Sequence, residues 1–351
     1  MSRHALVARL DRLGDMIICG PAIRAVANCV DRVSVLAAPA GADAAALLPG
    51  VDGVLVWDCP WIGAPAPAVT RADVRQLVDR LAAARVDEAL VLTSFHQNAL
   101  PTALLLRLAG VPRIAAVSDD YPGSLLDIRI VSPPDAPEPA RMLAVARAAG
   151  YHLASADDGR LAVRTPAAGS AAIPGGPFVA VHPGVDAPAR GYPEPLWRDT
   201  VARLTRGGRT VTVTGSVAER APAARVADAA ELPGRAIMLA GRTDLGGLAA
   251  VLRAADVLVC ANTGPAHLAA AVGTPVVSLF APVVPAARWA PYGVPVVLLG
   301  DQHAPCADTR ARACPVLGHP CLTSVTPEQI EEAVGAFSPH RAPALQAVTS
   351  P

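Results

Sequence analysis

Asp256-Val257-Leu258-Val259-Cys260, then Asn262-Thr263-Gly264-Pro265-Ala266-His267-Leu268-Ala269-Ala270-Ala271-Val272-Gly273, then Pro275-Val276-Val277-Ser278-Leu279-Phe280, decides the fold class of this chain. The first run is apolar and of strand length, as expected for a strand buried on both faces. Asn262 to Pro265 combine a polar cap candidate with a proline at the first helical position, where its missing N–H costs nothing. Small residues carry the helix, Gly273 ends it, and a β-branched run follows as the next strand. The helix opens at the carboxyl end of a parallel strand, so its unsatisfied amides and the positive end of its dipole favour an anion there, phosphate above all. An unliganded βαβ unit has the same pattern, so this stretch sets the fold class and leaves function to the rest of the chain.

Outward from it, strand-like and helical runs alternate throughout, the pattern of parallel sheets covered by helices. In the first half the expected strands are residues 4–10, 33–37, 53–56 and 88–92, with helices over 16–28, 74–84 and 99–109. Residues 166–177, rich in Ala, Gly and Pro, read as a linker. Beyond it the pattern restarts with strands 178–182, 210–214 and 236–239 and helices 195–206, 217–230 and 245–254. The expected organisation is an N-terminal Rossmann-like domain over 1–165 and a second over 178–337. A Pro-, Ala- and Ser-rich tail over 338–351 is expected to be disordered. Ligands of such sheets bind beyond the carboxyl ends of the strands, and a two-domain form places them in the cleft between its halves.

With 351 residues the chain can bury two cores, and its formal net charge of zero gives no reason to expect nucleic acid as a partner. All 30 basic residues are arginine, so any cationic contact to phosphate is a planar guanidinium fork. No apolar run approaches the roughly 20 residues that span a bilayer. The N-terminus enters a strand at once, without the pattern of a signal peptide, so a cytoplasmic location is expected, with membrane contact at most peripheral. Seven cysteines, an odd number and mostly scattered, fit reduced thiols. Aromatic residues make up only 3%, too few for an extended stacking platform along a polysaccharide.

Three loops carry the candidate chemistry. After the first strand comes Arg9-Leu10-Asp11-Arg12-Leu13-Gly14-Asp15, where Gly14 permits a close turn and Asp15 is either a helix N-cap or a base for a bound hydroxyl. Asp11 reads as a solvated loop residue. The second half opens with His182-Pro183-Gly184 and Arg190-Gly191-Tyr192-Pro193, in which Arg190 is suited to gripping a diphosphate. Thr214-Gly215-Ser216 either caps the next helix or leaves room for a nucleotide. The third loop is Asn262-Thr263-Gly264-Pro265. In the first half, His96 in Thr93–Asn98 and Asp120 in Asp119–Gly123 follow strands and are, with Gly14, further contact candidates.

Taken together, Arg9-Leu10 with Leu13-Gly14-Asp15 and Pro21-Ala22-Ile23-Arg24, His182-Pro183-Gly184 with Arg190, and Asn262 to Ala269 with Gly273-Thr274-Pro275, Phe280-Ala281-Pro282, Arg288-Trp289 and Pro291-Tyr292-Gly293 resemble the glycosyltransferase family 9 heptosyltransferases. These enzymes move heptose from an ADP-activated donor. The resemblance implies a GT-B fold, α/β with two Rossmann-like domains facing a central cleft, and the donor held mainly by the second. It makes Asp15 the candidate general base, places Arg190 at the donor phosphates, makes Thr263 and Gly264 donors to the diphosphate, and sets His267 one turn into the same helix. The implied reaction is inverting single displacement with neither metal nor cofactor. The partners would be a nucleotide-diphosphate sugar, most readily ADP-heptose, and a lipid-linked, cell-envelope or secondary-metabolite acceptor. A nucleotide-sugar epimerase of similar fold, or a non-catalytic nucleotide-sugar binding protein, would use the same architecture.

Two departures touch donor recognition. Asn262 stands where the family usually has Asp, and Gly191-Tyr192 follows Arg190 in place of a commoner Arg-Trp pair. Near the end, Cys306, Cys314, His319 and Cys321 form a thiol-rich loop without a Cys-x-x-Cys pair, which reads as structural or reducible thiols with zinc as the alternative.

Overall fold

The structure, a computed structural model, describes residues 2–63, 66–132, 135–164 and 173–337. The expected tail over 338–351, and residues 166–172 of the expected linker, lie outside the described residues. The chain divides into two compact units, Met1–Arg164 and Thr165–Pro351.

The first unit runs β1 (His4–Arg9), α1 (Leu13–Ile18), α2 (Gly20–Ala27), β2 (Arg32–Ala37), α3 (Pro39–Leu47), β3 (Gly53–Val56), α4 (Arg71–Ala84), β4 (Glu88–Val91), α5 (Leu100–Leu108), β5 (Arg113–Val117), β6 (Ile128–Ile130) and α6 (Glu138–Ala148). Its six strands are parallel in the order β3-β2-β1-β4-β5-β6. Every residue of β1 and β4 is buried, because helices cover both faces of the sheet.

The second unit repeats the plan with β7 (Phe178–His182), α7 (Glu194–Arg206), β8 (Thr210–Val213), α8 (Arg220–Ala227), β9 (Ala236–Met238), α9 (Leu245–Ala254), β10 (Val257–Ala261), α10 (Gly264–Ala271), β11 (Val276–Leu279), α11 (Ala286–Trp289), β12 (Val296–Leu299), α12 (Pro320–Thr323) and α13 (Pro327–Gly335). The sheet order β12-β11-β10-β7-β8-β9 is the same topology. In each sheet the strand order reverses between its first and fourth strands, at β1/β4 and at β7/β10. Crevices of doubly wound sheets open there, so the loops after these four strands are the ones to examine.

Two expectations needed adjusting. The single helix expected over 16–28 is two, α1 and α2, which meet at Cys19. Pro21 is the cause: it has no N–H for the Ile17 carbonyl, and its ring crowds the preceding turn. The helix expected over 217–230 begins only at Arg220, because residues 216–219 form a turn in which Glu219 accepts the Ser216 N–H at 2.7 Å. Each unit has its own core. Leu6, Ala8, Leu36, Leu77 and Leu106 lie in the first, and Val181, Trp197, Val259, Leu279 and Ile330 in the second. Among the described residues, no helix is long and apolar enough to cross a membrane.

Candidate active site

In the first unit, β1 ends on Arg9, whose side chain is 1% exposed. A buried guanidinium needs counter-charges, and two carboxylates of the following loop and helix supply them. Asp11 Oδ2 lies 2.8 Å from Nε and Asp15 Oδ1 lies 3.2 Å from Nη2. Nη2 also donates to Ser94 Oγ at 2.8 Å. Burial alone would lower the Arg9 pKa, but attraction to Asp11, Cys19, Asp15 and Glu138 carries it upward.

This geometry settles several readings. Asp11 is no solvated loop residue: besides Arg9 it accepts from Gln97 Nε2 at 2.6 Å. Asp15 is not an N-cap; it lies in the first turn of α1, capped at Arg12 without a side-chain bond, and its side chain is 26% exposed. Gly14 is helical, the second residue of α1, and so is not the turn glycine expected there. The loop after β4 is bound in by Gln97, whose Oε1 accepts the Ser94 N–H at 2.9 Å. His96 is exposed and packs edge-on to Phe95, and Asp120 is exposed and accepts from Asn98 Nδ2 at 3.0 Å.

In the second unit, β7 ends on His182, paired in register with Cys260 of β10. Thr214 Oγ1 donates to the Val181 carbonyl at 3.2 Å and lies 3.0 Å from His182 Nδ1. The hydroxyl has one hydrogen, so Nδ1 donates and Nε2 carries the lone pair, an assignment made from the bonding pattern. Thr214 is 1% exposed, with its hydroxyl bonded inside the fold. Ser216 does not cap α8. Gly215 lies where a Cβ would meet Ala240 at 3.2 Å and Glu219 Cβ at 3.3 Å. Glu219, not among the expected contact residues, presses its carboxylate onto Gly184, where a Cβ would lie 2.0 Å from Oε1. A side chain at position 184 would displace that carboxylate.

At the other side of the switch point, α10 begins at Gly264 with Pro265 second rather than first, and Thr263 as N-cap makes no side-chain cap bond. Asn262 is buried, with Nδ2 3.4 Å from the Ala281 carbonyl and Oδ1 without a hydrogen-bond partner. His267 is 8% exposed, and its Nδ1 is likewise buried without a partner. Burial, and then the positive charge of Arg190, push its pKa down to about 4. Arg190 therefore stands close enough to His267 to act on it. Arg190 ends the 3₁₀ turn Pro188–Arg190, and Ala189 anchors that turn by donating its N–H to the Arg312 carbonyl at 2.9 Å and accepting from His319 Nε2 at 3.1 Å.

The thiol-rich loop is thus a buttress for Arg190. Cys306 and Cys321 are buried, Cys314 donates to the Val316 carbonyl at 3.3 Å, and His319 Nε2 points to Ala189. Among the described residues, no group of three or more His, Cys, Asp or Glu is placed to hold a metal ion.

The profile of glycosyltransferase family 9 (heptosyltransferase) matches residues 74–319. The chain belongs to that family. It is accordingly a glycosyltransferase, and the matched span includes Arg190 and Asn262 to His267. ADP-heptose lipopolysaccharide heptosyltransferase II of E. coli shares the fold at TM-score 0.72 and 19% identity, over 95% of this chain and 98% of the other. A family 9 glycosyltransferase from Veillonella parvula matches at 0.75 and 16%, over 95% and 97%. E. coli heptosyltransferase WaaC, solved with ADP-2-deoxy-2-fluoro heptose, matches at 0.70 and 18%, over 95% and 100%. These likenesses establish the GT-B fold of the family. No curated protein sequence matches the chain.

The histidines predict how this transferase responds to acid. His182 is also held below its usual pKa, first by burial. Unfolded, both histidines take a proton near pH 6.5, whereas folded His267 resists until about 4. Folding stability is therefore full above pH 6.5 and falls as the pH drops towards 4, by up to about 3 kcal/mol from His267 alone. Urea denaturation of a His267→Gln variant is expected to show a flatter fall over that window; an unchanged slope would refute the assignment.

Proposed function

We propose that this family 9 enzyme is an inverting, metal-independent glycosyltransferase whose donor is a nucleoside-diphosphate sugar, with ADP-heptose the first to test. The observation that carries the reading is the grouping at the β10 end of the second sheet, where the first turn of α10, the Arg190 guanidinium and a neutral His267 come together. Helix dipole and guanidinium supply positive charge for a departing diphosphate. His267, uncharged at neutral pH, adds a hydrogen-bonding nitrogen instead. Asn262 Oδ1 is a second buried polar atom suited to a sugar hydroxyl, and Glu219 to a ribose hydroxyl.

The first unit supplies Asp15 as base. The acceptor oxygen attacks the anomeric carbon as its proton passes to the carboxylate, and the bond to the diphosphate breaks on the opposite face, which inverts the centre. Arginine and the helix N-terminus meet the electrostatic need that a divalent cation fills elsewhere. Thr263 and Gly264 belong to the same phosphate contact.

A thermal-shift panel of ADP, GDP, UDP and dTDP, each with and without EDTA, tests the donor side. Stabilisation by ADP in preference to the others, indifferent to EDTA, is the expected result. Preference for another nucleotide would discard ADP-heptose, and dependence on a divalent cation would discard metal independence.

A further inference from the structure

The side chains around Arg9 form a network larger than a base and its neighbour. Arg9 is fully charged, almost completely buried, and shared between two carboxylates on the same stretch of chain. Asp11 takes the Nε edge at 2.8 Å, and Asp15 takes Nη2 at 3.2 Å. Nη2 is held again by Ser94 Oγ, while Nη1 donates to the soft sulfur of Met142 at 3.8 Å. The second oxygen of Asp11 accepts from Gln97 at 2.6 Å, so the loop after β4 fixes both Arg9 and Asp11.

Other charges converge on the same place. From α6, Glu138 and Arg141 form a buried pair with both carboxylate oxygens at 2.9 Å, and Arg141 also donates to the Thr93 carbonyl at 2.6 Å. That pair is internally neutralised. Cys19, at the junction of α1 and α2, gives its thiol hydrogen to the Asp15 backbone carbonyl at 3.3 Å, and burial raises its pKa to about 12, so it stays a thiol. Arg12 caps α1 beside them. Arg9 is thus the buried cation that Asp15 and Asp11 share.

We propose that Arg9 is the positioning residue of the Asp15 carboxylate, and that Asp11, by competing for the same guanidinium, keeps that carboxylate basic enough to accept a proton. The inference rests on the reading of Asp15 as the base. Too strong an ion pair makes a poor base, and no pair leaves a half-buried carboxylate unoriented and readily protonated. A guanidinium divided between two acids meets both requirements. The spread of its charge over three nitrogens suits the residue type: Nη2 donates to Asp15 while Nε lies 2.8 Å from Asp11 as an ion-pair contact.

The two partners then have opposite signatures. Removing Arg9 removes the cation and should move the Asp15 titration up, by about one unit or more. Removing the charge of Asp11 gives Asp15 the whole guanidinium and takes away a neighbouring negative charge, so its titration should move down. The full-length chain labelled with [γ-¹³C]aspartate, titrated by NMR, reads this without any acceptor, and Asp15→Asn identifies the signal. Expected are an upward midpoint in Arg9→Gln and a downward one in Asp11→Asn. Should Arg9→Gln fail to fold, Asp11→Asn carries the test, and an Asp15 midpoint that stays put or rises in that variant overturns the proposal. If the midpoints move as expected while Asp15→Asn still transfers sugar at the native rate, the base reading fails and the positioning role fails with it, leaving only an ion-pair network.

Discussion

Asp15→Asn is expected to slow sugar transfer by about 10²–10⁴-fold, the usual worth of a positioned general base, with donor affinity and melting temperature nearly unchanged. The expectation of retained folding follows from the surroundings. Arg9 keeps Asp11 at 2.8 Å and Ser94 at 2.8 Å when the Asp15 charge is removed, so no buried cation is left without a counter-charge. Asp15 is itself partly open to solvent and is not the N-cap of α1, so the helix loses no cap bond. The amide remains isosteric and can still accept from Arg9, but it cannot take a proton. Initial rates, the nucleotide dissociation constant and a melting curve, measured on one preparation, separate these effects. Near-native turnover would assign the proton to another group, and a large drop in melting temperature would make the rate loss uninformative.

The alternation of apolar strands with helices made both sheets legible, because β-branched runs between glycine and proline punctuation have few other readings. The break at Cys19 was legible too, had Pro21 been given its due against an otherwise continuous helical run. What could not be read was the pairing of side chains distant in sequence. Arg9 looked like the end of a strand, yet its burial is a tertiary fact set by α6 and the loop after β4. Asp11 therefore looked solvated, although Gln97, 86 positions on, closes over it. Thr214-Gly215-Ser216 read either as a helix cap or as room for a nucleotide, and the burial of the Thr214 hydroxyl between His182 and Val181 was not legible. The thiol loop read as structural or reducible thiols with zinc as the alternative, and what it supports was not legible: His319 and Arg312 use it to hold the turn that carries Arg190. Glu219 left only a weak sequence signal, an acid three residues after Ser216, and its significance needed the contact with Gly184.

Arg190→Ala should lower kcat by about 10²–10³-fold, the typical loss when a preorganised donor to a developing negative charge is removed. Arg190 is anchored by its turn, with both polar backbone groups of Ala189 bonded to the thiol loop, so the guanidinium is delivered at little entropic cost. That anchoring does not depend on the side chain, and truncation should leave the turn in place. Arg190→Lys should recover part of the rate, since the charge returns without the fork that grips two phosphate oxygens. A second readout comes from the free enzyme. Because the positive charge of Arg190 helps to depress His267, its loss should raise the His267 titration above about 4, visible in the ring proton signals without substrate. Burial, the larger cause, remains, so the midpoint should stay below the ordinary histidine value. A raised midpoint together with a fallen kcat places one cation over both the helix start and the departing diphosphate. A raised midpoint with unchanged kcat would keep Arg190 beside His267 but take it out of the chemistry. The charge for the leaving group would then have to come from α10 and from a cation outside the protein, and the case for metal independence would fall with it.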